Sequence, residues 1–155
     1  MEISYLADHP EFIEGLAPAI FEHWRHILTE ETLESRVGIL RAHMNRDTLP
    51  IAWVAHTEWR VFGTAALRRH DLHGREDLEP WLGGVFIIEQ YRQRGIGETL
   101  CAAVENHARK TRADTLYLFT LDCQRWYQKL GWKKFEPCQW RGRRGDIMCK
   151  VMHAA

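Results

Sequence analysis

One segment, Val85-Phe86-Ile87-Ile88-Glu89-Gln90-Tyr91-Arg92-Gln93-Arg94-Gly95-Ile96-Gly97, constrains this chain more than any other, because it joins an apolar strand to a helix through a basic, glycine-bearing loop. The run from Trp81 to Ile88 is continuous and β-branched toward its end, the pattern of a strand covered on both faces. Leu100, Val104 and Ala108, with Cys101 beside them, then recur on one face of a helix over Gly95 to Lys110. The chain must therefore build a sheet with a helix following directly from one of its central strands.

The loop between these elements favours an anion. Gly95 and Gly97 let the backbone approach a ligand and adopt conformations a side chain would forbid. A helix starting there points its unpaired N–H groups and the positive end of its dipole at the loop, each charge interaction being worth about 0.3–1 kcal/mol. Arg92 and Arg94 add full positive charge, so the segment suits a pyrophosphate, with the preceding strand lying beside any linear chain attached to it. Coenzyme A has that shape. A dinucleotide fingerprint would need a small residue where Leu100 stands, and the G-K-[ST] of a P-loop is absent; a plain tight turn is the bland alternative.

The remaining elements follow from period and punctuation. Glu2 to Leu6 reads as a strand, and Asp8 followed by Pro10 as the start of a helix whose stripe is Phe12, Leu16, Ile20 and Trp24, with Pro18 inside it. Thr29, followed by Glu30 and Glu31, is expected to open a second helix with Leu33, Val37, Leu40 and Met44 on its buried face. Ile51 to Ala55 and Arg60 to Leu67 form a hairpin, and Arg68 to Pro80 a polar loop. After the long helix come a buried strand over Thr115 to Leu121 and a short helix over Cys123 to Leu130 stopped by Gly131. Strands near Lys133 to Glu136 and Asp146 to Met152 close the chain. The order β-α-α-β-β-β-α-β-α-β-β predicts an α/β (α+β) fold, a mixed, mostly antiparallel sheet of six to seven strands flanked by helices.

The 155 residues suffice for one ordinary domain, 1–155, with one site, and no repeat or linker divides them. Lys plus Arg and Asp plus Glu both number 21, so no global field draws the protein to nucleic acid or a membrane. The glycines are placed for a compact diphosphate rather than a groove. Cys101, Cys123, Cys138 and Cys149 form no C-x-x-C pair and lie in apolar or periodic segments, which reads as reduced core thiols in a cytoplasmic protein. No export signal or membrane span is expected from the N-terminus or from any apolar run.

Arg92-Gln93-Arg94-Gly95-Ile96-Gly97 resembles the [QR]-x-x-G-x-[GA] acetyl-coenzyme A loop of the GCN5-related N-acetyltransferases (GNAT). Trp126-Tyr127-Gln128-Lys129-Leu130-Gly131-Trp132 is similar to that family's Y-x-x-x-G-[FW] segment, and both occur in the family's order and spacing, over about Trp81 to Phe135. The resemblance implies the acyl-CoA N-acyltransferase fold, acetyl-CoA as cosubstrate and no metal. It further implies transfer of an acetyl group to a primary amine, a small molecule or a peptide N-terminus, by direct attack in a ternary complex. Main-chain groups of Val85, Phe86 and Ile87 would pair with the pantetheine arm, one N–H polarising the thioester carbonyl. Arg92, Gln93, Arg94, Gly95, Ile96 and Gly97 would hold the pyrophosphate, and Tyr127 would donate to the departing thiolate. Dimers are common in the family, and this chain is expected to be a monomer or homodimer. A non-catalytic acyl-CoA sensor using the same pocket is the alternative.

Periodicity alone puts Cys123, Trp126 and Leu130 on the core stripe of the short helix and Tyr127 at its margin. The acceptor must attack as a free amine, which costs a lysine side chain about 4–5 kcal/mol at neutral pH and an N-terminal amine about 1 kcal/mol. His70, His73, Glu79 and Asp122 are the candidates for a base, each with a plain reading as a solvated loop residue or cap. His70 and His73 lack a third ligand on a defined element nearby. Acceptor choice is expected to rest on the first two helices and on the Arg68 to Pro80 and Pro137 to Gly145 loops. The charges of those loops point both to acidic peptides and to cationic amines.

Overall fold

The computed structural model describes residues 1–153. Among them seven strands and four α-helices follow in the predicted order: β1 (Glu2–Tyr5), α1 (Ile13–Trp24), α2 (Leu33–Ala42), β2 (Ile51–His56), β3 (Val61–Arg68), β4 (Trp81–Ile87), α3 (Ile96–Lys110), β5 (Thr115–Thr120), α4 (Gln124–Lys129), β6 (Lys133–Trp140) and β7 (Arg143–Val151). The strands hydrogen-bond in the order β1-β2-β3-β4-β5-β7-β6. β4 pairs parallel to β5, whereas β1 with β2, β5 with β7 and β6 with β7 are antiparallel, so the sheet is mixed as expected. The chain gathers into two compact units, one of Met1–Ala66 with Gly84–Ala103, the other of Leu67–Gly83 with the residues from Val104 onward.

In the first unit, Phe12, Leu16 and Ile20 are buried as their spacing requires, and they pack with Leu6, Val54 and Phe86 into one core. Each such side chain withdrawn from water contributes about 1.5–3 kcal/mol before conformational entropy is counted. Asp8 does not cap this region, as the sequence suggests; it pairs with Arg46, and the 3₁₀ turn Pro10–Phe12 leads into α1 at Ile13. α2 begins four residues beyond Thr29, because Thr32 and Ser35 close a reciprocal cap. Ser35 N donates to Thr32 Oγ1 at 3.0 Å and Thr32 N to Ser35 Oγ at 2.9 Å. Glu31, expected inside the helix, instead takes Arg36 in a two-point ion pair at 2.6 and 3.0 Å. Of the stripe expected for α2 only Leu40 is buried, and Leu33 is 45% exposed.

The second unit has its own core of Leu72, Leu78, Trp81 and Ile147, with Tyr117 and Phe119 packed against it. Leu72 and Leu78 come from the stretch that reads as a polar loop, and Trp81 Nε1 donates to the Leu78 carbonyl at 2.6 Å, so that stretch is pinned at both its apolar points. The Pro137 to Gly145 segment is mostly strand rather than loop. β6 and β7 pair from Lys133 opposite Cys149 out to Trp140 opposite Arg143, with one register shift between Lys134 and Glu136. The turn at the tip is Arg141 and Gly142, both at positive φ. The four cysteines are free thiols, but only Cys101 is buried; Cys138 and Cys149 are half-buried and Cys123 is exposed, which corrects the reading of all four as core residues.

Candidate active site

β4 does not stay covered along its length. Trp81, Leu82, Gly83 and Phe86 are buried, but Gly84 is exposed and stands at φ 58°, a left-handed residue in mid-strand, with Val85 and Ile87 half-buried beyond it. A positive φ interrupts the extended conformation and turns local main-chain groups away from a regular ladder. The sequence reading missed Gly84; the signal was the Gly83-Gly84 pair inside an otherwise continuous apolar run.

The strand ends in a 3₁₀ turn, Glu89–Tyr91, and the loop that follows holds two left-handed residues, Gln93 at φ 63° and Gly95 at φ 78°. Arg92, Gln93, Arg94 and Gly95 are exposed, while Ile96 and Gly97 are buried at the start of α3. Among the described residues the N–H groups of Gly95, Ile96 and Gly97 meet no main-chain acceptor; the first main-chain bond of the helix region runs from Thr99 N to the Gly95 carbonyl at 3.2 Å. Arg92 Nε donates to the Ile87 carbonyl at 2.9 Å and its guanidinium lies 5.6 Å over the Phe86 ring, while Arg94 stands 5.8 Å over Tyr91. Both cations are thus set on aromatic faces beside a cluster of open N–H donors, the donor set a diphosphate needs.

Tyr127 belongs to the second unit. It is 8% exposed and is the buried residue of α4, where Trp126 is half-buried and Cys123 exposed, the reverse of the stripe read from periodicity. Its ring packs against Trp126 at 4.8 Å and Trp132 at 6.2 Å, and its carbonyl accepts the Trp132 N–H at 3.1 Å, wrapping the chain back through Gly131 at φ 96°. Thr120 Oγ1 accepts the Cys123 N–H at 3.0 Å and so fixes where α4 starts. The Cys123 thiol is pushed up from its ordinary pKa, first by burial and then by the Asp122 carboxylate.

The base candidates are largely engaged by neighbours. Glu79 Oε2 faces His70 Nε2 at 3.1 Å and takes Arg69 Nε at 3.3 Å, while His73 is fully exposed with Nδ1 3.8 Å from Glu76. Asp122 receives the Cys123 thiol at 3.5 Å. Among the described residues no three His, Cys, Asp or Glu side chains gather as metal ligands would, and no helix is long and apolar enough to cross a membrane.

The sequence profile of the acetyltransferase (GNAT) domain matches residues 50–134, more than half of the chain and inclusive of β4, the basic loop and α4. The chain belongs to the GNAT acetyltransferase family. Solved structures agree in fold. An aminoglycoside 6'-N-acetyltransferase in complex with coenzyme A superposes with a TM-score of 0.76 at 18% identity, covering 100% of this chain and 99% of that one. A ribosomal-protein-alanine N-acetyltransferase from Brucella melitensis gives 0.75 at 22% identity over 97% and 99% of the two chains. An aminoglycoside 6'-N-acetyltransferase from Enterococcus faecium gives 0.75 at 19% over 100% and 99%. No curated protein sequence matches the chain significantly. The chain is thus a GNAT acetyltransferase on the acyl-CoA N-acyltransferase fold.

Proposed function

We propose that this GNAT enzyme, acting as one domain over 1–155, transfers the acetyl group of acetyl-CoA to a primary amine by direct attack in a ternary complex. The observation that carries the reading is the loop itself: Gly95 held left-handed, three consecutive N–H groups at the start of α3 that meet no main-chain acceptor among the described residues, and Arg92 and Arg94 beside them. In this reading Arg92, Gln93, Arg94, Gly95, Ile96 and Gly97 grip the pyrophosphate. The main chain of Val85, Phe86 and Ile87 runs beside the pantetheine arm, and an N–H there stabilises the negative charge that develops on the thioester oxygen. The free amine nitrogen forms its bond to the acyl carbon, the carbon–sulfur bond breaks, Tyr127 gives its phenolic proton to the departing thiolate, and the proton shed by the acylated nitrogen passes through water and restores the phenol.

Neighbours of the same fold act on aminoglycosides and on a ribosomal protein's alanine, and those two acceptor classes frame the choice for this chain. Release of free thiol from acetyl-CoA, followed with spermidine, an aminoglycoside and N-terminal peptides as acceptors, tests the reading. Amine-dependent thiol release with at least one acceptor is expected; acetyl-CoA bound tightly but never turned over with any of them would contradict it.

A further inference from the structure

α4 is too short to hold its own position. It spans six residues, Gln124–Lys129, and a helix of under two turns takes its order from what grips its ends. At the front, Thr120 Oγ1 accepts the Cys123 N–H at 3.0 Å, and Gln124 Nε2 donates to the Leu121 carbonyl at 3.2 Å and to Asp146 Oδ2 at 3.0 Å. At the back, the Tyr127 carbonyl accepts both the Leu130 N–H at 3.0 Å and the Trp132 N–H at 3.1 Å, so the chain reversal closes on the residue that carries the phenol. The Leu130 carbonyl, part of that reversal, takes the Lys150 ammonium of β7 at 2.7 Å. The Lys150 stem lies against the same turn: its Cε stands 3.3 Å from where a Cβ on Gly131, left-handed at φ 96°, would sit.

A cation on the last carbonyls of a helix is favourable, but this one comes with a buried partner. Lys150 Nζ also donates to Glu105 Oε1 at 2.7 Å, and that carboxylate, on α3, is only 7% exposed, with Arg109 Nη2 as a further partner at 3.5 Å. Apolar side chains of similar volume would serve stability as well as a buried ion pair does, so what the pair adds is a fixed arrangement. All of these groups belong to the second unit. We propose that Lys150 is a positioning residue for the transfer step: held by Glu105, its ammonium fixes the Leu130 carbonyl, and through the turn at Gly131 it fixes where the Tyr127 hydroxyl stands. The inference rests on reading Tyr127 as the donor to the departing thiolate.

The test separates stability from chemistry in the full chain. The double change Glu105→Met with Lys150→Met removes the pair and its hold on the turn together, while filling the space they leave. Thiol release from acetyl-CoA is followed with whichever of spermidine, an aminoglycoside or an N-terminal peptide the wild type acetylates, beside calorimetric titration of coenzyme A and urea unfolding, and the double change is repeated in Tyr127→Phe. It is expected to lower kcat about ten-fold with the coenzyme dissociation constant within about two-fold, yet to lower kcat less than about two-fold in Tyr127→Phe, where no hydroxyl is left to misplace. Lys150→Met alone should unfold at lower urea than the double change and lose kcat to the same extent. A wild-type kcat in the double variant overturns the proposal, and so does an equal fall of kcat in both backgrounds, the signature of a pair that only supports the fold. Where the double variant does not fold, Glu105→Gln, which keeps an acceptor for the ammonium but removes its counter-charge, decides the matter: a loss of kcat confined to the chain with Tyr127 is expected, and an unchanged kcat contradicts the proposal. A wild type that acetylates none of the amines, or a Tyr127→Phe variant with unchanged kcat, sinks the functional reading and this inference with it; a kcat that depends on Tyr127 but not on the pair counts against the inference alone.

Discussion

Arg92 Nε donates to the carbonyl oxygen of Ile87 across 2.9 Å, so the first cation of the loop is anchored to the end of the strand that leads into it. The bond uses the inner nitrogen of the guanidinium and leaves the terminal nitrogens for a phosphate. Arg92→Ala is expected to weaken acetyl-CoA binding about ten-fold at low salt, with a smaller loss in 1 M salt, where exposed charges are screened. Arg92→Lys should recover only part of the affinity, since an ammonium cannot serve the carbonyl and a phosphate in one plane. Calorimetric titrations at two salt concentrations measure both effects.

Gly95 separates backbone conformation from space. It stands at φ 78° with nothing within 4 Å of where a Cβ would sit, so a substitution there meets no clash and pays only for the left-handed conformation. Gly95→Asn is expected to keep most of the coenzyme affinity, because Asn tolerates this region, whereas Gly95→Val should lose at least ten-fold. Equal losses for Asn and Val would show that volume rather than conformation matters at this position.

Tyr127→Phe should lower kcat by about 10²-fold, the range of a lost general acid, while leaving the coenzyme dissociation constant within two-fold. The ring, 8% exposed and packed on Trp126 and Trp132, is retained in Phe, so the melting temperature should move little. Steady-state kinetics beside a thermal melt distinguishes a chemical role from a packing one; an unchanged kcat removes the role.

Glu105 on α3 is buried and bonded to Lys150 Nζ at 2.7 Å, and the same ammonium donates to the Leu130 carbonyl at 2.7 Å beside Gly131. Removing Lys150 leaves the buried carboxylate only the longer pair with Arg109 Nη2 at 3.5 Å: Lys150→Met is expected to cost up to about 3–5 kcal/mol, whereas the double change Glu105→Met with Lys150→Met should cost less than the single one. Urea unfolding of the variants reads the difference. A double variant less stable than Lys150→Met would overturn this account of the pair.

Cys123 is exposed, yet burial of its sulfur and the adjacent Asp122 carboxylate hold its pKa above that of an ordinary thiol. The thiolate fraction at neutral pH is therefore lower than for a free cysteine, so alkylation should be slow at pH 7 and keep rising through the pH range where ordinary thiols level off. Asp122→Asn should speed alkylation at neutral pH by removing the second of these causes. A rate that saturates at the ordinary thiol value contradicts the shift.

How far the fold could be read in advance depended on the length of each signal. The stripe of α3 and the glycine that stops α4 were legible because Leu100, Val104 and Ala108 repeat over more than two turns and Gly131 takes the left-handed position such a stop requires. α4 spans six residues, less than two turns, so its period could not decide whether Cys123 or Tyr127 faces inward. Thr29 followed by two glutamates imitates a helix start, and only the hydrogen bonds between Thr32 and Ser35 reveal the one the chain adopts. In the proposed site, the loop from Arg92 to Gly97 is legible through its glycines and charges. The approach of Asp71 to Gly83 is not, because a contact between a residue of the β3–β4 connection and one inside β4 leaves no local pattern.

The account as a whole turns on the main-chain amides of the loop. Titrating acetyl-CoA into isotopically labelled protein and following backbone amide resonances tests it most directly. Saturable shifts of Gly95, Ile96 and Gly97, the largest in the chain and abolished together with binding in Gly95→Val, are predicted; binding that leaves these three amides unmoved would contradict it.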